Sequence, residues 1–448
     1  MWAAGARLTA MSILAALLER LPGRAHGPGS AEYDAGRTVF AGVGEPVAVV
    51  RPATAADVAE AVRAAIEYEQ PVSVRSGGHG AVPATEGVVV DLAELADVDV
   101  HDDGTVSVGA GARWGDVAEA LAPHGLAVSS GDTRDVGVGG LALGGGIGWL
   151  VRTHGLTVDA VREVEVVTSA GAVVTADAAS HPDLFWAVRG GGGNFGIVTR
   201  FRFETAPVGG LVGGHVTFDQ SEVGAVLRAW RDLTLASPDG LNSTLLILPP
   251  FSPEMPAGPQ LAVAARGSEA ELRELLAPLL SLASVSEVSL GPIAYADLLE
   301  AAPPGKPPFQ FVGGNGFVPE LSDELIEACE LALQGSTPTM LMLRALGGAF
   351  TRVAPDATPI AFRDAEALLM ANGVLAADAP EEQVALTRLD LDRVLAFTSG
   401  RYANFTQEYG QDVLETIYPP ETLDRLRRVK AQYDPGDVFR GVHHIVPA

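Results

Sequence analysis

The chain has 448 residues, of which 47% are hydrophobic and 19% charged, so it is long enough for two domains and too apolar for global disorder. Its net charge of -26 argues against nucleic acid or an anionic membrane as a partner, because both are themselves negatively charged. A single cysteine, Cys329, excludes a disulfide framework within the chain, and its amphipathic surroundings predict a core position on a helix.

The apolar stretch from Met11 to Leu21 is too short to span a membrane and is interrupted by Glu19 and Arg20. It has neither the basic start nor the small-residue cleavage site of a secretory signal. We therefore predict an N-terminal segment, residues 1–42, whose helix packs on the body of the protein, and a cytoplasmic location.

Residues 43–207 open with a β-α-β pattern. The stretches Val47–Arg51 and Val72–Val74 are predicted strands, and between them Thr54 and Asp57 have the spacing of a helix capping box. Further strands and helices of this region are predicted at Val88–Leu92, Val98–Val100, Val106–Val108, Trp114–Leu121, Val164–Thr168, Val173–Ala176, Asp183–Val188 and Ile197–Phe203.

From residue 208 to residue 395 helical and strand patterns are mixed, which predicts an α+β region with an antiparallel sheet and helices on one face. Residues 396–448 form a tail, with a helix at Leu426–Tyr433, that we expect to fold back on the first region. The elements predicted in the middle region are helices at Val223–Leu235, Glu269–Leu282 and Glu324–Leu333 and strands at Leu245–Leu248, Gln260–Ala265 and Met340–Leu346.

The stretch Val72–His79, V-S-V-R-S-G-G-H, ends a strand in two glycines. Gly77 and Gly78 allow a sharp bend and a close approach to a ligand, and successive N–H groups in such a turn can bind an anion. His79, a nucleophilic and titratable side chain, follows directly. By itself this stretch is also compatible with an ordinary loop histidine.

A second stretch, Val136–Trp149, contains seven glycines with apolar residues in the gaps. This glycine ladder is unlike a Gly/Ser linker and indicates buried backbone lying against something flat or bulky. Gly191, Gly193 and Gly196 spell G-x-G-x-x-G, and Gly137, Gly139 and Ala142 nearly do. A nicotinamide fingerprint, however, needs strand, glycines and helix in that order. Around Gly191 the order is inverted, and after Gly137 the chain looks too glycine-rich to open a stable helix.

These stretches together resemble the FAD-linked oxidases of the berberine-bridge-enzyme type, which have the vanillyl-alcohol-oxidase fold. The resemblance rests on Arg75–His79, the glycine ladder, Asp183–Thr199, Arg401–Phe405 and Asp434–Arg440, which match the family in order and spacing. It implies an α+β fold, in which a two-part PCMH-type FAD-binding domain contains an inserted α+β substrate domain.

The resemblance also implies an FAD bonded covalently to His79 through its 8α-methyl group. Thr133 stands where some members carry a second, cysteine bond, so we expect single attachment. His444 replaces an asparagine expected near the flavin. Its neighbour, His443, is also a histidine, but adjacent residues of a strand rarely ligate one ion, so no metal site is predicted. The residues implied to line the cofactor are Arg75, Ser76, Gly77, Gly78, His79, Gly80, Thr133, Gly137, Val138, Gly139, Gly140, Gly144, Gly148, Gly196, Ile197, Val198, Asn404 and His444.

The implied reaction removes a hydride from a carbon bearing oxygen or nitrogen and uses O2 as acceptor. Tyr402 is the candidate base, which requires its pKa to be lowered from about 10 by a cation or hydrogen bond. Arg363 is the candidate cation and Asn404 a candidate orienting group; a buried aromatic with a satisfied hydroxyl remains the alternative for Tyr402.

The substrate expected from the resemblance is a secondary metabolite, alcohol, hydroquinone or amine. Two alternatives stay open on the sequence. One is a resistance oxidase that reoxidises a reduced quinone drug such as mitomycin, and the other is a drug-sequestering binding protein.

Overall fold

A computed structural model of the chain describes residues 13–80, 82–250, 257–302 and 309–448. The first two residues of the predicted N-terminal helix, Met11 and Ser12, lie outside the described residues. Residues 13–20 form helix α1, whose Ile13 and Leu17 are buried in the core of the first region. The described part of the chain contains no helix of the length and apolarity needed to cross a membrane.

The regular elements follow the chain in this order. The other helices are α2 (Ala31–Gly36), α3 (Ala55–Glu67), α4 (Trp114–Leu121), α5 (Val138–Leu143), α6 (Val151–His154), α7 (Pro182–Val188), α8 (Val223–Ala236), α9 (Glu269–Leu275), α10 (Ala277–Leu280), α11 (Asp323–Leu333), α12 (Ala349–Arg352), α13 (Glu381–Leu395), α14 (Gln411–Ile417) and α15 (Pro420–Tyr433). The strands are β1 (Ala25–His26), β2 (Thr38–Val39), β3 (Gly42–Val43), β4 (Ala48–Val50), β5 (Val72–Arg75), β6 (Val88–Asp91), β7 (Val98–Val100), β8 (Thr105–Gly109), β9 (Leu126–Ala127), β10 (Val161–Val167), β11 (Val173–Asp177), β12 (Ile197–Glu204), β13 (Ala206–Pro207), β14 (Leu211–Phe218), β15 (Asn242–Leu248), β16 (Gly258–Arg266), β17 (Val285–Pro292), β18 (Phe309–Val318), β19 (Thr339–Ala345) and β20 (Ala367–Ala376).

The first region is built on two sheets. In one, β4, β6 and β5 run parallel in the order β1-β4-β6-β5, and in the other β11-β10-β12-β8-β7 are antiparallel. The predicted capping box is present, because Thr54 accepts the N–H of Asp57 and the Asp57 carboxylate accepts the N–H of Thr54. Helix α3 then buries Val58 and Val62 in the core that both sheets share.

The second region is a seven-stranded antiparallel sheet in the order β17-β14-β16-β15-β19-β20-β18. On one face, side chains such as Leu343 and Leu369 pack with residues of α8, α11 and α13, and Cys329 is buried among them. Burial raises the pKa of the Cys329 thiol to about 12, consistent with core filling. On the other face, Leu368 packs with residues of the first region and with Tyr402. The predicted sheet with helices on one face is therefore confirmed.

Two features of this region differ from the sequence prediction. The single helix expected over Glu269–Leu282 is two helices, because Pro278 lacks the N–H needed to continue the α9 ladder. Four strands were not predicted at all: β14 and β18 contain several glycines, β17 is an edge strand with largely exposed side chains, and β20 is a nearly continuous apolar run. None of these four has the clean alternation that signals a strand.

The tail is held by one buried ion pair. The Lys430 Nζ is fully buried and donates to the Asp434 carboxylate (2.6 Å) and to the carbonyl oxygens of Phe439 (2.6 Å) and Asn194 (2.9 Å). The same carboxylate accepts the N–H groups of Val438 and Phe439. The tail is thus fastened to the glycine-rich loop before β12.

We expect Lys430→Met to lower the free energy of unfolding by about 3–5 kcal/mol, because it leaves the Asp434 carboxylate buried without its cation. Thermal melting measures the loss. The matched control is Arg440→Met, which removes an exposed pair with Glu86 and is expected to change stability by no more than about 1 kcal/mol. Equal melting temperatures for the two variants would contradict the assignment.

Candidate cofactor and substrate site

The two glycine motifs touch through their backbones. A Cβ added to Gly137 would lie 2.1 Å from the Gly77 nitrogen, and one added to Gly77 would lie 2.3 Å from the Gly137 nitrogen. Ser76 reinforces the contact, since its hydroxyl donates to the Ala110 carbonyl (2.6 Å) and accepts from the Gly139 N–H (3.3 Å). Stretches 60 residues apart therefore form one surface.

Other glycines face open space. A Cβ built on Gly80, Gly140 or Gly193 would meet nothing within 4 Å. Gly78, with φ +79°, supplies the left-handed turn that carries the chain into His79. Backbone that is open and free of side chains can offer N–H donors to the negatively charged pyrophosphate of a dinucleotide and can lie against its flat rings.

A helix does begin at Gly137, so the expectation that none could open there is wrong. Helix α5 is six residues long, and its Val138 and Ala142 are buried in the core, which offsets its glycine content. The rejection of a nicotinamide fingerprint still holds, because β9 ends at Ala127 and no strand leads directly into the glycines.

At three of the glycines predicted to line the cofactor, other atoms of the protein occupy the space that a side chain would need. A Cβ on Gly144 would lie 2.0 Å from Asn404 Oδ1, one on Gly148 would lie 1.6 Å from the Ser130 carbonyl oxygen, and one on Gly196 would lie 2.6 Å from the Val166 side chain. The neighbouring predicted residues Ile197 and Val198 are buried in β12.

Arg75 supports its loop from behind. Its Nη1 lies 3.0 Å from the buried carboxylate of Asp91, and its Nε donates to the Thr38 carbonyl (3.1 Å). Two of the three guanidinium nitrogens are thereby bound to protein partners. Thr133 pairs through its backbone with Glu300, at the edge of the same surface.

His79 is half-buried beneath an aromatic ring. Phe40 stacks on the imidazole with ring centroids 6.0 Å apart, and the Phe40 N–H donates to the Gly78 carbonyl (2.7 Å). Burial lowers the pKa of His79, Arg113 and Arg75 lower it further, and Asp135 opposes the shift. Within the described part of the chain the ring makes no hydrogen bond, so at neutral pH it is an uncharged imidazole with both nitrogens available.

Tyr402 and Asn404 lie against the glycine ladder. The Tyr402 hydroxyl accepts hydrogen bonds from the Gly146 N–H (2.8 Å) and from Asn404 Nδ2 (3.0 Å). Asn404 Nδ2 also lies 3.2 Å from the Leu141 carbonyl oxygen, and the Tyr402 N–H donates to Asn315 Oδ1 (2.8 Å). The sequence grouping of these residues with the ladder therefore corresponds to direct contact.

The electrostatics of Tyr402 differ from the prediction. Burial raises the pKa of Tyr402 to about 12, outweighing the two N–H donors, so the lowered pKa expected of a base is not found. Arg363 is not its partner, because both terminal nitrogens lie 2.8 Å from the Asp159 carboxylate and Nε donates to the Ile360 carbonyl. The proposed influence of Arg363 on Tyr402 is therefore wrong.

The ring of Tyr402 packs among apolar side chains. Phe317, Ile360, Phe362 and Arg401 help to line a small cavity beside it. The second face of the antiparallel sheet continues this surface, because β15, β19, β20 and β18 place Leu246, Met342, Met370 and Asn315 side by side in register. We call Leu246, Met342 and Met370 the apolar wall; all three side chains are half-buried.

The two adjacent histidines of the tail have different partners. His444 Nε2 lies 2.8 Å from an Asp437 carboxylate oxygen, so its side chain is paired within the tail. His443 Nε2 lies 2.9 Å from the Ala403 carbonyl oxygen, and its Nδ1 is buried without a partner among the described residues. The histidine that contacts the Tyr402–Asn404 segment is thus His443, which the sequence reasoning passed over in favour of its neighbour.

The site predicted from the sequence also omitted Asn194. Its Nδ2 donates to the carbonyl oxygens of Gly191 (2.9 Å) and His443 (3.0 Å), and its Oδ1 accepts the N–H of Ile445. Its position in the run G-G-G-N-F-G was the only available signal, since a polar residue within buried glycines needs partners.

Three features of the site fit a flavin dinucleotide. They are the open, glycine-lined backbone surface, the unpartnered Nδ1 of His443 and the neutral imidazole of His79. The fold and the site together define an FAD-dependent oxidoreductase.

A model of the FAD binding domain matches residues 46–177, and one described as berberine and berberine like matches residues 401–445. The FAD-linked oxidoreductase YgaK of Bacillus subtilis is 32% identical over 411 residues, spanning 87% of this chain and 89% of that protein. The chain therefore belongs to the berberine-bridge type of FAD-linked oxidases.

Solved structures show the same fold. A chitooligosaccharide oxidase superposes with a TM-score of 0.85 at 25% identity, covering 98% of this chain and all of the other. The 6-hydroxy-D-nicotine oxidase of Arthrobacter nicotinovorans superposes with a TM-score of 0.83 at 26% identity, covering 95% of this chain and 98% of the other. By name these two proteins act on chemically unrelated compounds, so the fold alone does not select a substrate.

We expect Gly137→Ala to lower the melting temperature of the FAD-free protein, because the new methyl group would overlap the Gly77 backbone, and overpacking costs about 1–3 kcal/mol. Gly140→Ala is the matched control: it lies in the same helix, its methyl group would enter open space, and alanine favours helix. Its melting temperature should equal or exceed that of the parent. A Gly140→Ala variant as destabilised as Gly137→Ala would refute the backbone contact.

Proposed function

We propose that the protein is an FAD-linked oxidase of a largely apolar secondary metabolite that carries an oxidisable alcohol, hydroquinone or amine. FAD, when bound, accepts the hydride and passes the electrons to O2, which yields hydrogen peroxide. The observation that carries the proposal is the position of the Tyr402 hydroxyl, bound to the glycine ladder at one end of the apolar wall.

The substrate class follows from the surface beside Tyr402. A polyhydroxylated sugar needs several polar groups to replace its hydrogen bonds to water. The cavity beside Tyr402 is lined mainly by apolar side chains such as Phe317, Ile360 and Phe362, with Arg401 as the charged member of its lining. The apolar wall adds two methionines, whose flexible thioethers adapt to irregular apolar shapes. This combination favours a ring-bearing, mainly apolar compound.

Tyr402 is the proposed proton acceptor. With a pKa of about 12 its hydroxyl keeps its proton at neutral pH, so only a small phenolate fraction serves as base. The two N–H donors fix the oxygen and stabilise the phenolate as it forms. Asn404 thus acts through Tyr402 as a positioning residue, and no described contact favours the resistance oxidase or the binding protein.

His79 is the proposed attachment point for the flavin, by a single bond. Its uncharged imidazole is nucleophilic, and Phe40 holds the ring in one plane. A second bond would need a thiol at Thr133, and the only cysteine, Cys329, is buried on the far face of the sheet.

The proposed substrate class is tested by anaerobic reduction of the bound flavin with three sets of compounds: apolar aromatic alcohols and hydroquinones, apolar amines, and oligosaccharides. We expect bleaching of the flavin absorbance by members of the first two sets, and peroxide formation when air is admitted. Reduction by oligosaccharides alone would refute the apolar substrate, and reduction without peroxide would refute O2 as acceptor.

Tyr402→Phe is expected to slow flavin reduction by about 10²–10⁴-fold, the usual contribution of a general base, while the ring contacts with Phe317 and Phe405 persist. Because the phenolate fraction grows tenfold per pH unit below a pKa of about 12, the parent rate should rise steadily between pH 7 and 10. Stopped-flow measurement should show that slope in the parent and not in the variant. A variant with the parental rate and slope would exclude Tyr402 as the base.

Acid precipitation tests the flavin bond. The parent should carry its yellow colour into the pellet, and His79→Ala should release it to the supernatant while still binding FAD. Thr133→Ala is the control and should keep the colour in the pellet. Colour retained in the pellet of His79→Ala would move the attachment to another residue, and a colourless parental pellet would mean that the flavin is not covalently bound.

A further inference from the structure

His443 and His444 are adjacent but differ in how their ring nitrogens are used. The His444 imidazole pairs with Asp437, as described above. The His443 imidazole uses only Nε2, on the Ala403 carbonyl oxygen at 2.9 Å, and its Nδ1 is buried with no partner among the described residues. A buried polar atom without a partner requires an explanation, because desolvating it costs free energy that nothing in the chain returns.

The tautomer of His443 follows from its one partner. A carbonyl oxygen can only accept, so the hydrogen resides on Nε2. Burial also lowers the pKa of His443, which keeps the ring neutral. The Nδ1 atom is therefore a bare lone pair, and the group that satisfies it must donate an N–H or O–H.

The surroundings of His443 belong to the cofactor site. Ala403, its hydrogen-bond partner, lies between Tyr402 and Asn404, both of which contact the glycine ladder. On the other side, the His443 carbonyl accepts from Asn194, the residue after the open Gly193. The ring is thus held between the two segments that border the open backbone surface.

We infer that His443 Nδ1 accepts a hydrogen bond from the bound FAD, and that His443 rather than His444 is the tail residue that contacts the cofactor. FAD carries several donors that match a bare lone pair, among them the flavin N3–H and the hydroxyls of its ribityl chain. The inference depends on FAD binding at this surface and not on the identity of the substrate or the covalent bond.

The test separates the two ring nitrogens. The amide of His443→Gln can keep the bond to Ala403 but has no acceptor at the Nδ1 position, whereas His443→Asn keeps an acceptor there and loses the bond to Ala403. Both are made in the His79→Ala background, so that FAD can be removed and titrated back. FAD affinity is then measured by quenching of flavin fluorescence, with thermal melting of the FAD-free variants as a record of folding. His444→Gln is the matched control.

We expect His443→Gln to weaken FAD binding about threefold to tenfold, the range for one lost neutral hydrogen bond, and His443→Asn and His444→Gln to stay within about twofold of the parent. A purely structural role through Ala403 would give the reverse order for Gln and Asn, and that result would overturn the inference. Unchanged affinity in both His443 variants would overturn it as well.

A second arm identifies the donor. With N3-methyl FAD, the ratio of affinities between the parent and His443→Gln should fall to one if the flavin N3–H is the donor. The ratio should be unchanged if the donor is another group of FAD, such as a ribityl hydroxyl. Either ratio supports the hydrogen bond, provided that His443→Gln weakens binding of ordinary FAD; equal binding of ordinary FAD by the parent and His443→Gln would overturn it.

Discussion

The site depends on the contact between the backbones of Gly77 and Gly137. The turn that carries His79 and the start of helix α5 can approach this closely only because neither residue has a side chain, and Ser76 bonds the two segments together. From that contact the ladder continues to Gly146, whose N–H reaches the Tyr402 hydroxyl. The proposed attachment point and the proposed base thereby share one continuous backbone surface.

The antiparallel sheet gives this surface its second side. Strand side chains alternate, so the face that packs on α8, α11 and α13 builds a core, and the opposite face is free to meet the first region. Asn315, at the end of the row that contains the apolar wall, accepts the Tyr402 N–H and so fixes the base relative to that wall. One register of four strands therefore relates the proposed substrate surface to the proposed cofactor surface.

The tail connects the parts. Lys430, buried with Asp434, reaches the Asn194 carbonyl, while the Asn194 side chain bonds to His443 and Ile445. The loop before β12 and the last residues of the chain thus form one hydrogen-bonded unit beside the Tyr402–Asn404 segment.

Much of the local structure could be predicted because its causes are local. The cap at Thr54, helix α4 and strands β7, β8, β10 and β11 follow from side-chain chemistry and periodicity within a few residues. The glycine motifs indicated FAD through the family that they resemble. Strands β14 and β18 were missed because glycines interrupt their alternation, so only cross-strand pairing defines them.

The sequence by itself, through its resemblance to a known family, determined the family and the cofactor. Only the tertiary structure decided the partners: Arg363 binds Asp159 across 204 residues, and of two adjacent histidines one pairs with Asp437 while the other keeps a buried lone pair. It also decided that the pKa of Tyr402 is raised. Burial by residues distant in the chain raises this pKa by more than the two hydrogen bonds to the hydroxyl lower it. Partner choice and desolvation are properties of the packed molecule, and no local pattern encodes them.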